Sequence, residues 1–365
     1  MNRKRATIKD VAAEAAVSIA TVSNVFSGRK PVNADLRERV ERAARKLSFQ
    51  MDRAASQLRS GQARVVGVLV PDLDDVFFTS LVSRLEVMAR KDGYDVIVAS
   101  SRDDIDLEQS RLRALLGWRP SGLVAVPCSD VIPSLLRDEV GHLPMVFADR
   151  VMLNGCFADT VTIDNVKAGE SVARHLLEMG HGDILVAASN LGIAPIRERV
   201  QGVRNMARAA GVEPRVLELG SNAERGAEVL ANWLETNAHP TAVFGLTNVT
   251  TLSALSALAR HRLDVPEQIS LVGFDDYTWM SARRTPLTAI RQPIDEMAGV
   301  IWERLRQRMA GEAAQPHPTI LETSLQIRGS VASRGPNLLA GREAAAKPSV
   351  SVLAAPDGAQ ANRGD

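Results

Sequence analysis

The 365-residue chain holds only two cysteines, Cys128 and Cys156, in no CxxC pair and beside no histidine cluster. That argues against a disulfide framework or a zinc site and fits a reducing compartment. No window approaches the ~18 consecutive apolar residues of a membrane span. The basic start at Arg3, Lys4 and Arg5 is followed by no apolar stretch of signal-peptide type. A cytoplasmic location, with no membrane partner, is the expectation. No strand-like run leads into GxGxxG or GxxxxGKS/T, which weighs against dinucleotide and P-loop chemistry. A GxSxG elbow is missing too. The six histidines (His142, His175, His181, His239, His261, His317) show no metal-ligand spacing. With no catalytic constellation, the sequence predicts neither an enzyme nor a bound metal or cofactor.

What is present is unevenly distributed. Residues 1–60 carry 13 Lys/Arg against 6 Asp/Glu, a net of +7; since the whole chain is +1, the remaining 305 residues carry −6. A basic head on an acidic body is the footprint of a nucleic-acid-binding module joined to a domain of another kind.

Thr7-Ile-Lys-Asp10 has the form of a capping box, and Ile8, Val11, Ala12 and Ala15 repeat at helical spacing. Ala16-Val17 interrupts the stripe. Ser18 then caps a second short helix to Phe26, with Val22, Val25 and Phe26 inward. Asn33 caps a third, residues 34–47, with Leu36, Val40, Ala43 and Leu47 inward and Arg37, Arg39, Arg42 and Arg45 outward. Two short helices braced by a third give helix-turn-helix geometry.

From Val65 onward, apolar runs at residues 65–70, 95–99, 122–126, 144–148, 183–187, 242–246 and 269–274 alternate with amphipathic segments such as 78–91, 107–116, 167–179 and 250–261. This predicts buried parallel strands in α/β doubly wound sheets, with enough strands for two lobes. Ligands of such sheets sit at the carboxyl ends of strands.

The strings Ala6-Thr-Ile-Lys-Asp-Val-Ala, Val17-Ser-Ile-Ala-Thr-Val-Ser and Arg37-Glu-Arg-Val resemble the head of the lactose/galactose repressor (LacI-type) family. The stretch Asp52-Arg-Ala-Ala-Ser-Gln-Leu-Arg-Ser-Gly61 is similar to that family's hinge helix. In the body, Val70-Pro-Asp, Phe77-Phe78, Ala148-Asp-Arg150, Ile163-Asp-Asn165, Arg199 with Gly202, Thr247-Asn248, Gly273-Phe-Asp-Asp276 and Leu287-Thr-Ala-Ile-Arg-Gln-Pro293 resemble the same family's two-lobed periplasmic-binding-protein-like core. The likeness covers roughly residues 6–330.

The resemblance implies a head at 1–50, a hinge helix at 51–61, a first lobe from 62–164 and 290–322, a second from 165–289 and 323–335, and a disordered tail at 336–365. It implies a sequence-specific transcription regulator, a repressor by commonest outcome. A homodimer would sit on pseudo-palindromic double-stranded operator DNA under the control of a small effector. The tail has no leucine heptads of the tetramerising kind. Carried over by position, Ile19, Ala20 and Asn24 face base edges, while Thr7, Ser18, Thr21 and Asn33 contact phosphates. Leu58 is the minor-groove wedge, followed by Arg59; an ordinary core leucine is the alternative.

Four departures from the family pattern bear on affinity and sequence preference. Asn24 stands where Arg is usual and suits adenine. Ala16 replaces a turn glycine, Ser48-Phe49 a Gly-Tyr pair, and Met51-Asp52 a Pro-Asn pair. Effector contacts carried over are Phe77 and Phe78 in the first lobe and Arg199, Asn248 and Asp275 in the second, with Trp279 as a further aromatic face. Val249 stands where the family often has Asp. The alternatives are core packing for the phenylalanines and a structural ion pair for Arg199 with Asp275. The chemistry suits a small polyol, so a sugar is the first expectation. A sugar acid or phosphate stays open because Arg197 lies beside Arg199, and a purine stays open too. A transport solute-binder is opposed by the head, and a sugar-modifying enzyme by the missing catalytic set.

Overall fold

The computed structural model describes residues 6–27, 31–47, 49, 64–150, 157–312 and 315–340. The chain divides into two compact units, the head and the core.

The head contains α1 (Ile8–Ala15), α2 (Ile19–Ser27) and α3 (Ala34–Lys46). The capping box is formed: the Thr7 N–H donates to Asp10 Oδ2 at 2.7 Å, and the Asp10 N–H to Thr7 Oγ1. Ala16 ends α1 in the left-handed conformation, φ 51° and ψ 50°. Val11, Ala12, Ala15, Val22, Val25, Val40, Ala43 and Ala44 form the small core. Arg39, expected to point outward, reaches back instead: its Nη2 donates to the carbonyls of Ala15 (2.7 Å) and Ala16 (3.1 Å), which α1 leaves without intrahelical partners. Phe26 departs from the predicted inward stripe. It is 37% exposed and leans on Phe49, with ring centroids 5.8 Å apart.

The core has two six-stranded sheets. In chain order the first lobe's main elements are β1 (Val65–Val70), α4 (Val76–Lys91), β2 (Asp95–Ser100), α5 (Ile105–Gly117), β3 (Gly122–Ala125), α6 (Ser134–Asp138), β4 (Met145–Ala148) and β5 (Asp159–Ile163). The second lobe follows with α7 (Asn165–Glu178), β6 (Ile184–Ala188), α8 (Ala194–Ala209), β7 (Arg215–Glu218), α9 (Ala223–Thr236), β8 (Ala242–Gly245), α10 (Asn248–Arg260), β9 (Ser270–Phe274), α11 (Thr278–Ser281) and β10 (Thr288–Arg291). The chain then returns through α12 (Ile294–Met309) and β11 (Pro318–Leu321) before ending its sheets with β12 (Ser324–Gln326).

The strand orders are β11-β5-β4-β3-β1-β2 and β12-β10-β9-β8-β6-β7. Both are doubly wound, and β12 runs antiparallel to β10. Each order reverses at its first strand, so the carboxyl ends of β1 and β6 are topological switch points. The all-apolar runs β1, β3, β4, β6 and β8 are buried along their whole length, as parallel central strands must be. The sequence pattern passed over β5, β7, β10, β11 and β12. Of these, β7 and β12 are sheet edges with mixed exposure, and β5 reads Asp-Thr-Val-Thr-Ile although every residue is buried.

The chain crosses between lobes three times: after β5, after β10 and after β11. The second crossing falls beyond Arg291 rather than at 290, because Ala289 and Ile290 are held in the second sheet between β9 and β12. The expected disorder from 336 also starts too early. The Leu338 N–H donates to the Leu177 carbonyl at 3.0 Å, and Leu339 is 6% exposed within the core. The rest of the tail, the hinge helix and Cys156 lie outside the described residues. Cys128 is free and buried, its thiol pushed up to about 12 by burial and by Glu108.

Candidate functional site

The cleft between the lobes is built from strand ends. After β1, Asp75 caps α4 by accepting the Phe77 N–H at 2.9 Å. This sets Phe77 and Phe78 in the first turn, edge to face at 5.1 Å and 3% exposed each. After β4, Asp149 is left-handed at φ 57°, and its N–H bonds the Val161 carbonyl. Arg150 pairs with Asp103 and lies 5.4 Å over the Phe78 ring.

In the second lobe Arg199 on α8 is buried and fully positioned. Its Nε donates to Asn165 Oδ1 (2.9 Å), its Nη1 to the Leu246 carbonyl (2.6 Å), and its guanidinium lies 3.7 Å over the Phe274 ring. Asp275, after β9, is left-handed at φ 81°. It accepts the Asn248 N–H at 3.1 Å and Gln292 Nε2 at 2.6 Å. Its neighbour Asp276 is tied to Arg291 and Arg328. Left-handed aspartates at two strand ends are conformations that cost about 1–2 kcal/mol each, and such strain clusters at functional sites.

Burial raises the carboxyls of Asp149 and Asp275 above the usual range, with Arg199 opposing in both cases. Asp75 is pushed up to about 7 by burial and then by the field of Asp275. The remaining space is a cavity of about 40 Å3, lined among others by Phe77, Phe78, Arg199, Thr247 and Asp275. That is room for only a few ordered waters, so a sugar-sized ligand must part the lobes.

Of the residues predicted from sequence, Phe77, Phe78, Arg199 and Asp275 come together here. Asn248 stands behind Asp275 and holds it through its N–H. Trp279 does not join them; it packs, half-buried, on the second lobe's apolar core. Among the described residues no ion pair within 4.0 Å joins Arg199 to Asp275; the nearest partners of Arg199 are an amide and a carbonyl. Asp75, Asp149, Arg150, Thr247 and Gln292 were not singled out as contacts. Asp149 and Gln292 follow β4 and β10 directly, so the strand-end rule carried their signal.

On the head, Ile19 (42% exposed) and Ala20 open α2 at the surface, with Asn24 half-buried one turn on. Ser18 Oγ accepts the Thr21 N–H at 3.0 Å and bonds Thr21 Oγ1 at 2.9 Å. Thr7 and Asn33 cap α1 and α3. Leu58 and Arg59 lie outside the described residues.

Residues 7–52 match the model of bacterial regulatory proteins of the lacI family, and residues 173–331 a periplasmic binding protein-like domain. The transcriptional regulator PtxS of Pseudomonas putida is 30% identical over 332 residues, 90% of this chain and 96% of that protein. The chain belongs to the lacI family of bacterial regulatory proteins.

The transcriptional repressor CytR of Escherichia coli K12 is 30% identical over 89% of this chain and 96% of its own. A lac repressor dimer solved on operator with an anti-inducer is 27% identical, with TM-score 0.79 over 90% of this chain and all of that one. The regulator CelR, solved with cellobiose, is 27% identical, with TM-score 0.66 over 89% of this chain and all of that one. These lacI-family relatives are DNA-binding transcription regulators rather than enzymes, and so is this chain. Among the described residues no helix is long and apolar enough to cross a membrane, and no His/Cys/Asp/Glu group could hold a metal.

Proposed function

We propose that this regulator binds a pseudo-palindromic operator as a cytoplasmic homodimer, and that a sugar or sugar derivative in the interlobe cleft sets its operator affinity. The observation that carries the effector reading is the meeting of Asp149, Asp275 and Arg199 with Phe77 and Phe78 at facing strand ends. Carboxylates accept from hydroxyls, a guanidinium donates in a fixed fork, and rings cover the C–H face of a sugar. Solved relatives support it, one on operator DNA and one with cellobiose.

In this reading Ile19, Ala20 and Asn24 meet base edges, with Asn24 suited to adenine. Thr7, Ser18, Thr21 and Asn33 hold phosphates, and Leu58 with Arg59 serves the hinge in the minor groove. The exposed start of α2 favours it. Closure of the lobes changes operator affinity by the effector's preference for one state over the other.

The test is fluorescence anisotropy of a genome-selected operator fragment, titrated with and without a panel of sugars, sugar acids, sugar phosphates and purines. A tenfold shift in operator affinity, about 1.4 kcal/mol, names the effector and its sign. Specific DNA binding that no ligand alters would leave the head's role intact and defeat the cleft's.

A further inference from the structure

Resting on the cleft as the effector site, we infer that its ligand is an uncharged polyol presenting several hydroxyl donors, and that carboxylated and phosphorylated sugars are excluded. Three carboxylates, Asp75, Asp149 and Asp275, face the cleft against two guanidinium groups. One of those, Arg150, is already paired with Asp103 outside the cleft lining. The other, Arg199, gives Nε to Asn165 and Nη1 to the Leu246 carbonyl. An anion entering beside Arg199 would be desolvated in the field of three aspartates with one cation in reach, which is the costly case for a buried charge.

The cation that the sequence offered for an acidic ligand is turned to other work. Arg197 pairs with Asp130 and donates to the Leu191 carbonyl at 3.0 Å. The cleft lining contains no lysine.

An independent observation concerns an acceptor without a donor. Gln292, which lines the cleft, is 6% exposed, and its Oε1 is buried without a hydrogen-bond partner. Gln292 cannot be relieved by turning its amide over, because its Nε2 is committed to Asp275. Amide oxygens only accept. An orphaned buried acceptor is unfavourable, so a ligand that brings donors is favoured twice, by this oxygen and by the carboxylates. Hydroxyls do this without adding negative charge. The Asp75 carboxyl, raised first by burial and then by the field of Asp275, adds to this the repulsion that a further anion would meet.

The experiment is isothermal titration of the full chain with matched triplets, each a neutral aldose, its aldonic acid and its phosphate ester, plus nucleosides to separate free from glycosylated sugar. In at least one set the neutral member binds, and its acid and phosphate bind at least a hundredfold more weakly. Asp75→Asn, which keeps the α4 cap, narrows that gap at least tenfold. An acid or phosphate binding within tenfold of its neutral parent overturns the inference, as does no binding by any neutral member at millimolar concentration. Arg199→Lys tells the two failures apart. If it leaves the affinity of a bound ligand unchanged in a chain that still melts cooperatively, the cleft is not the site. If it lowers that affinity and the acid still wins, the cleft stands and the charge preference falls.

Discussion

Asp130 of the first lobe and Arg197 of the second close an ion pair across the mouth of the cleft. The same carboxylate accepts the Ala194 N–H at 2.8 Å, at the first turn of α8. One side chain in the first lobe thus caps a helix of the second and holds its second turn. A partly exposed pair and a helix cap together are worth about 1–2 kcal/mol. Asp130→Ala should therefore release the lobes. Small-angle scattering of the ligand-free variant should show a larger radius of gyration, and effector affinity should rise about three- to tenfold, because the ligand no longer has to break the pair to part the lobes. Unchanged scattering would show that the pair does not hold the cleft shut.

The head carries removable strain. Ala16 is left-handed at φ 51°, where a Cβ costs about 1 kcal/mol that glycine avoids. Ala16→Gly should slow hydrogen exchange of the buried α1 and α3 amides about fivefold. Arg39→Ala should do the reverse, since it strips the donor from the Ala15 and Ala16 carbonyls.

Asp75 gives the core a pH signature. Its carboxyl lies near 7 in the folded chain against 3.8 without the fold's influence. Below about pH 4 both states are protonated and the contribution is fully present. As pH rises the unfolded chain ionises first, so stability is lost up to about pH 7 and then levels off. Asp275, Asp149 and Arg150 are the charged groups facing it. Because the carboxyl is only half-buried, the loss is about 1–2 kcal/mol rather than the full linkage value. Asp75→Asn should raise the melting temperature at pH 8 and have little effect at pH 4. An equal gain at both values would mean that ionisation is not the cause.

Helices α7 and α8 touch backbone to backbone. A Cβ on Gly202 would lie 2.0 Å from the Val166 carbonyl oxygen, and one on Gly169 2.1 Å from that of Arg199. Gly202→Ala must push α8 off α7 and separate Arg199 from Asn165. A loss of about 2–3 kcal/mol in chemical denaturation should come with weakened effector binding.

The central strands, the three caps of the head and the pairing of Phe77-Phe78 with Arg199 and Asp275 were legible because each rests on local chemistry. Apolar runs, capping residues and family strings are readable without tertiary contacts. Trp279 was misplaced because an aromatic four residues after the strand-end carboxylate of Asp275 can turn to the cleft or to the core, and only packing decides. Arg197 gave no sign of Asp130, which lies 67 residues away. The Leu338-Leu339 anchor was hidden in a stretch whose composition reads as tail. Phe26 kept helical spacing but sits at a surface where Phe49 is its cover.

The three crossings between lobes have a consequence for how the core can come apart. Each lobe is stitched from segments that are distant along the chain: β11 completes the first sheet and β12 the second. A single protease cut at any crossing therefore releases nothing, because the two fragments still share strands of at least one sheet. Neither lobe can be excised as one continuous stretch of sequence. Nicked protein should run as two bands only after denaturation and elute as one species before it.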